Sequence, residues 1–157
     1  MFRERPNIFC LRASAGDASS ELNAFDMALF KAGVGNMNLL KISSILPPHC
    51  EYVEEMKFEE GALVPVAYGA VHSSVKGELL SAAVACAIPR DKNRVGLIME
   101  YAAKGKTKED TEKQAREMAL EGMRWRGYEV EKIMSISCEH RVDRCGVAFA
   151  CVVLGWK

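Results

Sequence analysis

Apolar positions along this chain follow two rhythms: alternating or unbroken apolar runs, and runs at helical spacing. Asn7 to Arg12 alternates as a strand. Ser19-Ser20 then supplies the N-cap of a helix from about Glu21 to Ala32. Leu22, Phe25, Leu29 and Ala32 share one face of it, and Gly33 provides the stop. Asn38 to Leu46 reads as one strand, closed by Pro47-Pro48, since proline cannot continue a sheet interior. Gly61 to Val75 and Glu78 to Ile88 are strand-rich. The second runs almost unbroken in small and apolar residues, which predicts burial on both faces. Val95 to Ala102 is a further apolar strand, interrupted by Glu100. Thr107 opens the strongest helix: with Asp110 it resembles a capping box, acids fill the first turn, and Gly127 marks the stop. Ala115, Met118, Ala119, Gly122 and Met123 form a narrow stripe suited to packing on a sheet. Glu129 to Cys138 and Gly146 to Leu154 are the last two strands.

Two helices and about seven strands, in no regular alternation, predict an α+β fold in a two-layer or sandwich arrangement. Gly33-x-Gly35 lacks a third glycine and follows a helix instead of preceding one, so it is no dinucleotide fingerprint. The 157 residues, 49% of them hydrophobic, predict one domain with a substantial core and no internal repeat. The 21 basic and 21 acidic residues balance and form no basic stripe, which argues against a nucleic-acid partner. No apolar run approaches the ~20 residues needed to cross a bilayer. Met1 to Pro6 carries no apolar leader core, and the expected location is the cytoplasm. Cysteines 10, 50, 86, 138, 145 and 151 form no Cys-x-x-Cys, and the histidines extend no metal-ligand pattern. Buried reduced thiols and no metal site are therefore expected.

The chemistry concentrates at two places. The first is Ser43-Ser44, at the end of an apolar run and two residues before the double proline. A serine hydroxyl needs help from its surroundings to act as a nucleophile. In a locked backbone the Ser44 hydroxyl can attack the Ser43 carbonyl carbon and turn the peptide bond into an ester. Elimination of that ester leaves dehydroalanine at position 44, which hydrolyses to a pyruvoyl ketone and ammonia. Such a ketone forms Schiff bases with amines and acts as an electron sink, the task PLP performs elsewhere. Taken alone, a Ser-Ser pair before prolines reads first as the close of an ordinary strand. The second place is Glu100. A carboxyl group in an apolar strand has its pKa raised, and one that stays protonated near neutral pH can serve as a general acid. A glutamate exposed at a strand end is the competing reading. His49 and Cys50 follow the double proline, close in sequence to the serine pair and in a loop position.

The chain resembles the pyruvoyl-dependent arginine decarboxylases. The likeness is carried by Leu22-Asn23-Ala24-Phe25-Asp26, by Ala32 to Asn36, and by Asn38 through Pro48. It continues through Gly61 to Pro65, Ala67-Tyr68-Gly69, Ala87-Ile88-Pro89, Gly96 to Tyr101 and Arg116 to Ala119. It therefore runs from about residue 8 to the C-terminus, and Ser-Ser-Ile-x-Pro-Pro and Leu-Ile-Met-Glu-Tyr are its most specific parts. The resemblance implies a four-layer α/β/β/α sandwich, self-cleaved into a small chain of residues 1–43 and a large chain of residues 44–157. It implies a pyruvoyl group made from Ser44, with neither PLP nor metal, and L-arginine as the substrate, giving agmatine and carbon dioxide. Residue by residue, it makes Glu100 the catalytic acid, Asn38 a catalytic-site contact, and Asp26 the partner of the guanidinium. A carboxylate suits that planar cation because the pairing can be bidentate. Lys41 and Met37 are flanking positions. The resemblance also implies a homo-oligomer of cleaved protomers, a trimer or a dimer of trimers. A related decarboxylase for another amino acid, and a non-catalytic binding protein of the same fold, are the alternatives.

Overall fold

The computed structural model describes residues 4–157, so Met1, Phe2 and Arg3 of the segment read for a leader lie outside the described residues. Among the described residues two helices and nine strands run in the order β1 (Ile8–Ala18), α1 (Glu21–Lys31), β2 (Asn38–Lys41), β3 (Ile45–Leu46), β4 (Glu51–Tyr52), β5 (Leu63–Ser73), β6 (Leu79–Pro89), β7 (Gly96–Lys104), α2 (Lys108–Arg126), β8 (Val130–Arg141) and β9 (Cys145–Gly155). The strands form two sheets. The first has the order β2-β5-β9-β1-β4 and the second β3-β7-β6-β8. The class is α+β, as the irregular alternation predicts. No helix among the described residues is long and apolar enough to cross a membrane.

Both helices begin and end as their sequences dictate. Ser20 accepts from the Asn23 N–H at 3.1 Å, and Thr107 from the Asp110 N–H at 3.2 Å. Gly127 closes α2 in the left-handed conformation, φ 67°. In α2 the predicted stripe is the packing face: Ala115, Ala119 and Met123 are buried against Ala83, Ala85, Ala87 and Leu97. In α1 three of the four predicted residues pack inward, Ala32 buried and Phe25 and Leu29 half-buried. Ala24 and Ala28 lie fully inside, whereas Leu22 is 77% exposed. Close approach to β1 explains the choice of alanine. A Cβ on Gly16 would sit 2.1 Å from the Ala24 carbonyl oxygen, so helix and strand meet nearly backbone to backbone.

Strand β6 is buried on both faces, as its composition predicts. Leu80, Ala82, Val84 and Cys86 face the first sheet, while Ala83, Ala85 and Ala87 face α2. The β1 and β9 side of the opposite sheet supplies Phe9, Leu11, Ala148, Ala150 and Val152 to the same inter-sheet core. Val64, Val66, Phe149 and Cys151 point the other way, onto α1. Each fully buried Val, Leu or Phe contributes about 1.5–3 kcal/mol. The described cysteines are all reduced, and Cys10, Cys86 and Cys151 are buried.

Two strands depart from expectation. β1 runs on to Ala18 because it pairs with β9 along its whole length, from Ile8↔Gly155 to Ala18↔Cys145. The small and polar residues after Arg12 hide that continuation. More consequentially, Asn38 to Leu46 is not one strand. β2 belongs to the first sheet and β3 to the second, with Ser43 and Ser44 in the crossing between them. The apolar residues of the run serve different cores: Leu39 packs on the α1 side, Ile42 and Leu46 between the sheets. A continuous apolar pattern conceals that change of sheet.

Asp17, at the end of β1, ties down the β8–β9 turn. It accepts from the Asp143 and Arg144 N–H groups at 2.8 and 2.9 Å and from His140 Nε2 at 2.7 Å. Burial works against the charge, but these donors hold its pKa down at about 2. A depressed carboxylate stabilises the fold above its unfolded pKa of about 3.9, and that contribution disappears as pH falls through the folded value. Asp17→Asn is therefore expected to lower the unfolding free energy at pH 7 by about 1–2 kcal/mol in urea titrations. The gap from the parent should close by about pH 2.

Candidate active site

The Ser43–Ser44 bond is held from both sides by different sheets. Before it, the Ile42 N–H donates to the Val66 carbonyl at 3.0 Å, extending the β2–β5 ladder. After it, the Ser44 carbonyl accepts from the Ile98 N–H at 2.7 Å, extending the antiparallel β3–β7 register of Ile45↔Leu97. Ser43 is exposed and Ser44 half-buried. Ser43 also lines an apolar cavity of about 310 Å³ with Leu40, Ile42, Ile45, Pro65 and Trp156.

Glu100 lies on β7, two residues beyond Ile98 and on the same face, hence about 7 Å further along the strand. It is not at a strand end: it sits opposite Val84 of β6, half-buried. Its side chain passes against β5, where a Cβ on Gly69 would stand 3.0 Å from the Glu100 Cβ. Any larger residue at position 69 would push the carboxyl aside. Burial raises the Glu100 pKa, against smaller lowering by its own backbone and by the Lys41 charge. Its Oε2 is buried and has no hydrogen-bond partner among the described residues. An unmet buried group costs about 1–3 kcal/mol, and such exceptions cluster where a function needs them.

Lys41 is more than a flanking position. Its Nζ stands 4.4 Å from the centroid of the Tyr68 ring, and its charge reaches Glu100. Tyr68 also meets Phe25 of α1, ring to ring at 6.0 Å. The sequence signal for these contacts was the Ala67-Tyr68-Gly69 block, which carries no recognisable chemistry by itself.

Asn38 and Asp26 stand elsewhere in the chain. Asn38 Nδ2 donates to the Gly61 carbonyl at 3.0 Å, pinning the start of β2 to the turn before β5. Asp26 is exposed on α1, next to Phe25. The first sheet lies between that helix and Glu100, since Tyr68 faces α1 and Gly69 faces β7. The chain thus places Ser44 and Glu100 along β7, with Lys41 over the Tyr68 ring and Asp26 on α1 across the first sheet.

A serine pair fixed between two sheets, with a buried carboxyl group of raised pKa on the strand that holds it, is the arrangement of a candidate acid–base enzyme site. The comparisons give that class a family. Residues 8–156 match the family described as pyruvoyl-dependent arginine decarboxylase. A protein of that name from Methanococcus aeolicus is 53% identical, over 97% of this chain and 92% of its own length. One from Methanocaldococcus jannaschii is 51% identical over the same shares. One from Pyrococcus abyssi is 39% identical, over 95% of each chain. This chain belongs to the pyruvoyl-dependent arginine decarboxylase family.

Proposed function

We propose that the protein is a self-processing enzyme that decarboxylates L-arginine to agmatine and carbon dioxide, with a pyruvoyl group made from Ser44. The observation that carries this reading is the buried, unpartnered Glu100 oxygen, on the same strand face as the residue that holds the Ser44 carbonyl. Family membership supports the chemistry. The group fits the residues present: Gly69 leaves room beside Glu100, and the oxygen awaiting a partner is there.

In this reading the chain divides into residues 1–43 and 44–157. The pyruvoyl group supplies a ketone that takes up the electrons left when carbon dioxide departs. The other roles belong to this chain's side chains. Glu100, whose pKa burial raises, delivers a proton from its carboxyl to the former α-carbon. Lys41 keeps that carboxyl from rising further and fixes the Tyr68 ring. Asn38 holds the entry to β2. Asp26 pairs with the guanidinium. Neither PLP nor a metal is needed.

The whole chain serves as one decarboxylase domain in a four-layer α/β/β/α sandwich. Three cores support the layering: one beneath α1, one between the sheets and one beneath α2. Because a sheet separates Asp26 from Glu100, a substrate touching both draws them from two copies, which favours a homo-oligomer; the trimer or dimer of trimers is what the family resemblance implies. Exposed Leu22, Phe30 and Leu63, at 77%, 66% and 57%, give such an assembly apolar surface to cover. The location is the cytoplasm.

The substrate is tested by carbon dioxide release from a panel of amino acids. Arginine should run well ahead of lysine and ornithine, with histidine and aspartate scarcely turned over. A site built for a polar group rejects analogues that leave its own groups unpaired. Asp26→Asn should raise the KM for arginine and narrow its lead over lysine. Equal rates on arginine and lysine, or preference for an acidic substrate, would overturn the assignment.

A further inference from the structure

His49 is the only non-glycine residue with positive φ among the described residues, at 62°. An L side chain rarely adopts that conformation unless its surroundings over-determine it. They do so here through the loop that joins β6 to β7. The His49 N–H donates to the Lys92 carbonyl at 3.2 Å, and its Nε2 meets Asn93 Oδ1 at 3.0 Å. Asn93 is itself fixed, because its N–H donates to Asp91 Oδ1 at 3.0 Å. The Cys50 N–H returns to the Pro47 carbonyl at 3.3 Å, which tightens the turn that presents His49.

These bonds complete a ring. From Ser44 the chain passes through β3 and the double proline to His49. From Asn93 the partner loop leads directly into β7, where Ile98 holds Ser44 and Glu100 follows. Before a cut at Ser43–Ser44, residue 44 is also held through β2. After it, residues 44–49 become the start of a chain. Their ties are then the Ser44–Ile98 bond, the short β3–β7 ladder, Ile45↔Leu97 and Leu46↔Gly96, the buried Leu46 side chain and the His49 contacts.

We infer that His49 is a positioning residue that clamps the segment after Ser44 onto the β6–β7 loop. The clamp fixes the backbone on the C-terminal side of the bond to be cut, and afterwards the arm that begins at residue 44. This rests on the proposed cleavage at Ser43–Ser44. His49 acts through the backbone and touches no reacting atom.

The test follows chain splitting by denaturing mass spectrometry in the parent, His49→Ala, His49→Asn and Asn93→Ala. His49→Ala and Asn93→Ala should split about three- to tenfold more slowly, the effect of one lost hydrogen bond. Asn93→Ala leaves the His49 backbone untouched, so it isolates the side-chain contact and serves if His49→Ala folds poorly. Asparagine tolerates positive φ, but its amide nitrogen stands where His Nδ1 does and falls short of Asn93 Oδ1, so His49→Asn should split about as slowly as Asn93→Ala. In the cut proteins kcat per pyruvoyl group should fall while the KM for arginine stays constant. Adding His49→Ala to an uncuttable Ser44→Ala background should move Tm by no more than a few degrees. Parental splitting rates and kcat in both alanine variants would overturn the clamp. A parent that never splits would instead overturn the cleavage reading beneath it, and the two failures are told apart in the parent sample alone.

Discussion

Replacing Ser44 by alanine is expected to leave a single uncut chain of 157 residues with no decarboxylase activity. The hydroxyl is the only atom removed that can attack the Ser43 carbonyl carbon. The backbone on either side stays anchored through the Ile42–Val66 and Ser44–Ile98 bonds, which use main-chain atoms. Loss of splitting in a well-folded variant therefore reads on chemistry and not on structure. Ser43→Ala is the informative companion. It keeps the Ser44 nucleophile and the carbonyl it attacks, so splitting should persist in that variant, at whatever rate the altered neighbour allows. If Ser44→Ala still splits at the same bond, another group is the nucleophile and the pyruvoyl assignment fails with it.

Glu100→Gln is expected to give a fully split protein with turnover lower by about 10²–10⁴-fold, the usual loss when a general acid is removed. Glutamine keeps the shape that Gly69 accommodates and cannot donate the same proton. The pH dependence carries the sign. A carboxyl with a raised pKa remains protonated to higher pH than an ordinary one, and activity that needs the proton falls as pH rises through the raised value. That alkaline fall should be present in the parent and absent from the residual activity of Glu100→Gln. Undiminished turnover in a fully split Glu100→Gln protein would remove Glu100 from the mechanism.

Much of the architecture was legible because the patterns concerned are local. The cap at Thr107, the stop at Gly127 and the small-residue face of α2 are each set by a few neighbouring residues. The double burial of β6 is written in its own run of alanines and valines. What was not legible depends on distant partners. The change of sheet between Lys41 and Ile45 leaves the hydrophobic pattern unbroken, because both halves of the run bury apolar side chains in different cores. The alanine seam of α1, Ala24 and Ala28, answers Gly16, a residue on another element.

At the site, Glu100 stood out because a carboxyl inside an apolar strand is unusual. Its depth followed only from Gly69 on the facing sheet. Lys41 gave no signal, since a lysine at a strand end is ordinary until Tyr68 and Glu100 are brought to it. His49 offered a loop position and no more. Its left-handed backbone is imposed by Lys92 and Asn93, more than forty residues away. Asp26 was legible as a residue and not as a geometry, because the helix that carries it lies across a sheet from Glu100.

The most direct measurement is the intact mass of the denatured protein, before and after treatment with phenylhydrazine. Two species are expected, residues 1–43 and residues 44–157. The larger should resist amine-reactive sequencing at its start and gain the mass of one hydrazone, because a ketone stands where the amino group would be. A single species with the mass of the full chain, unreactive toward phenylhydrazine, would contradict the central claim.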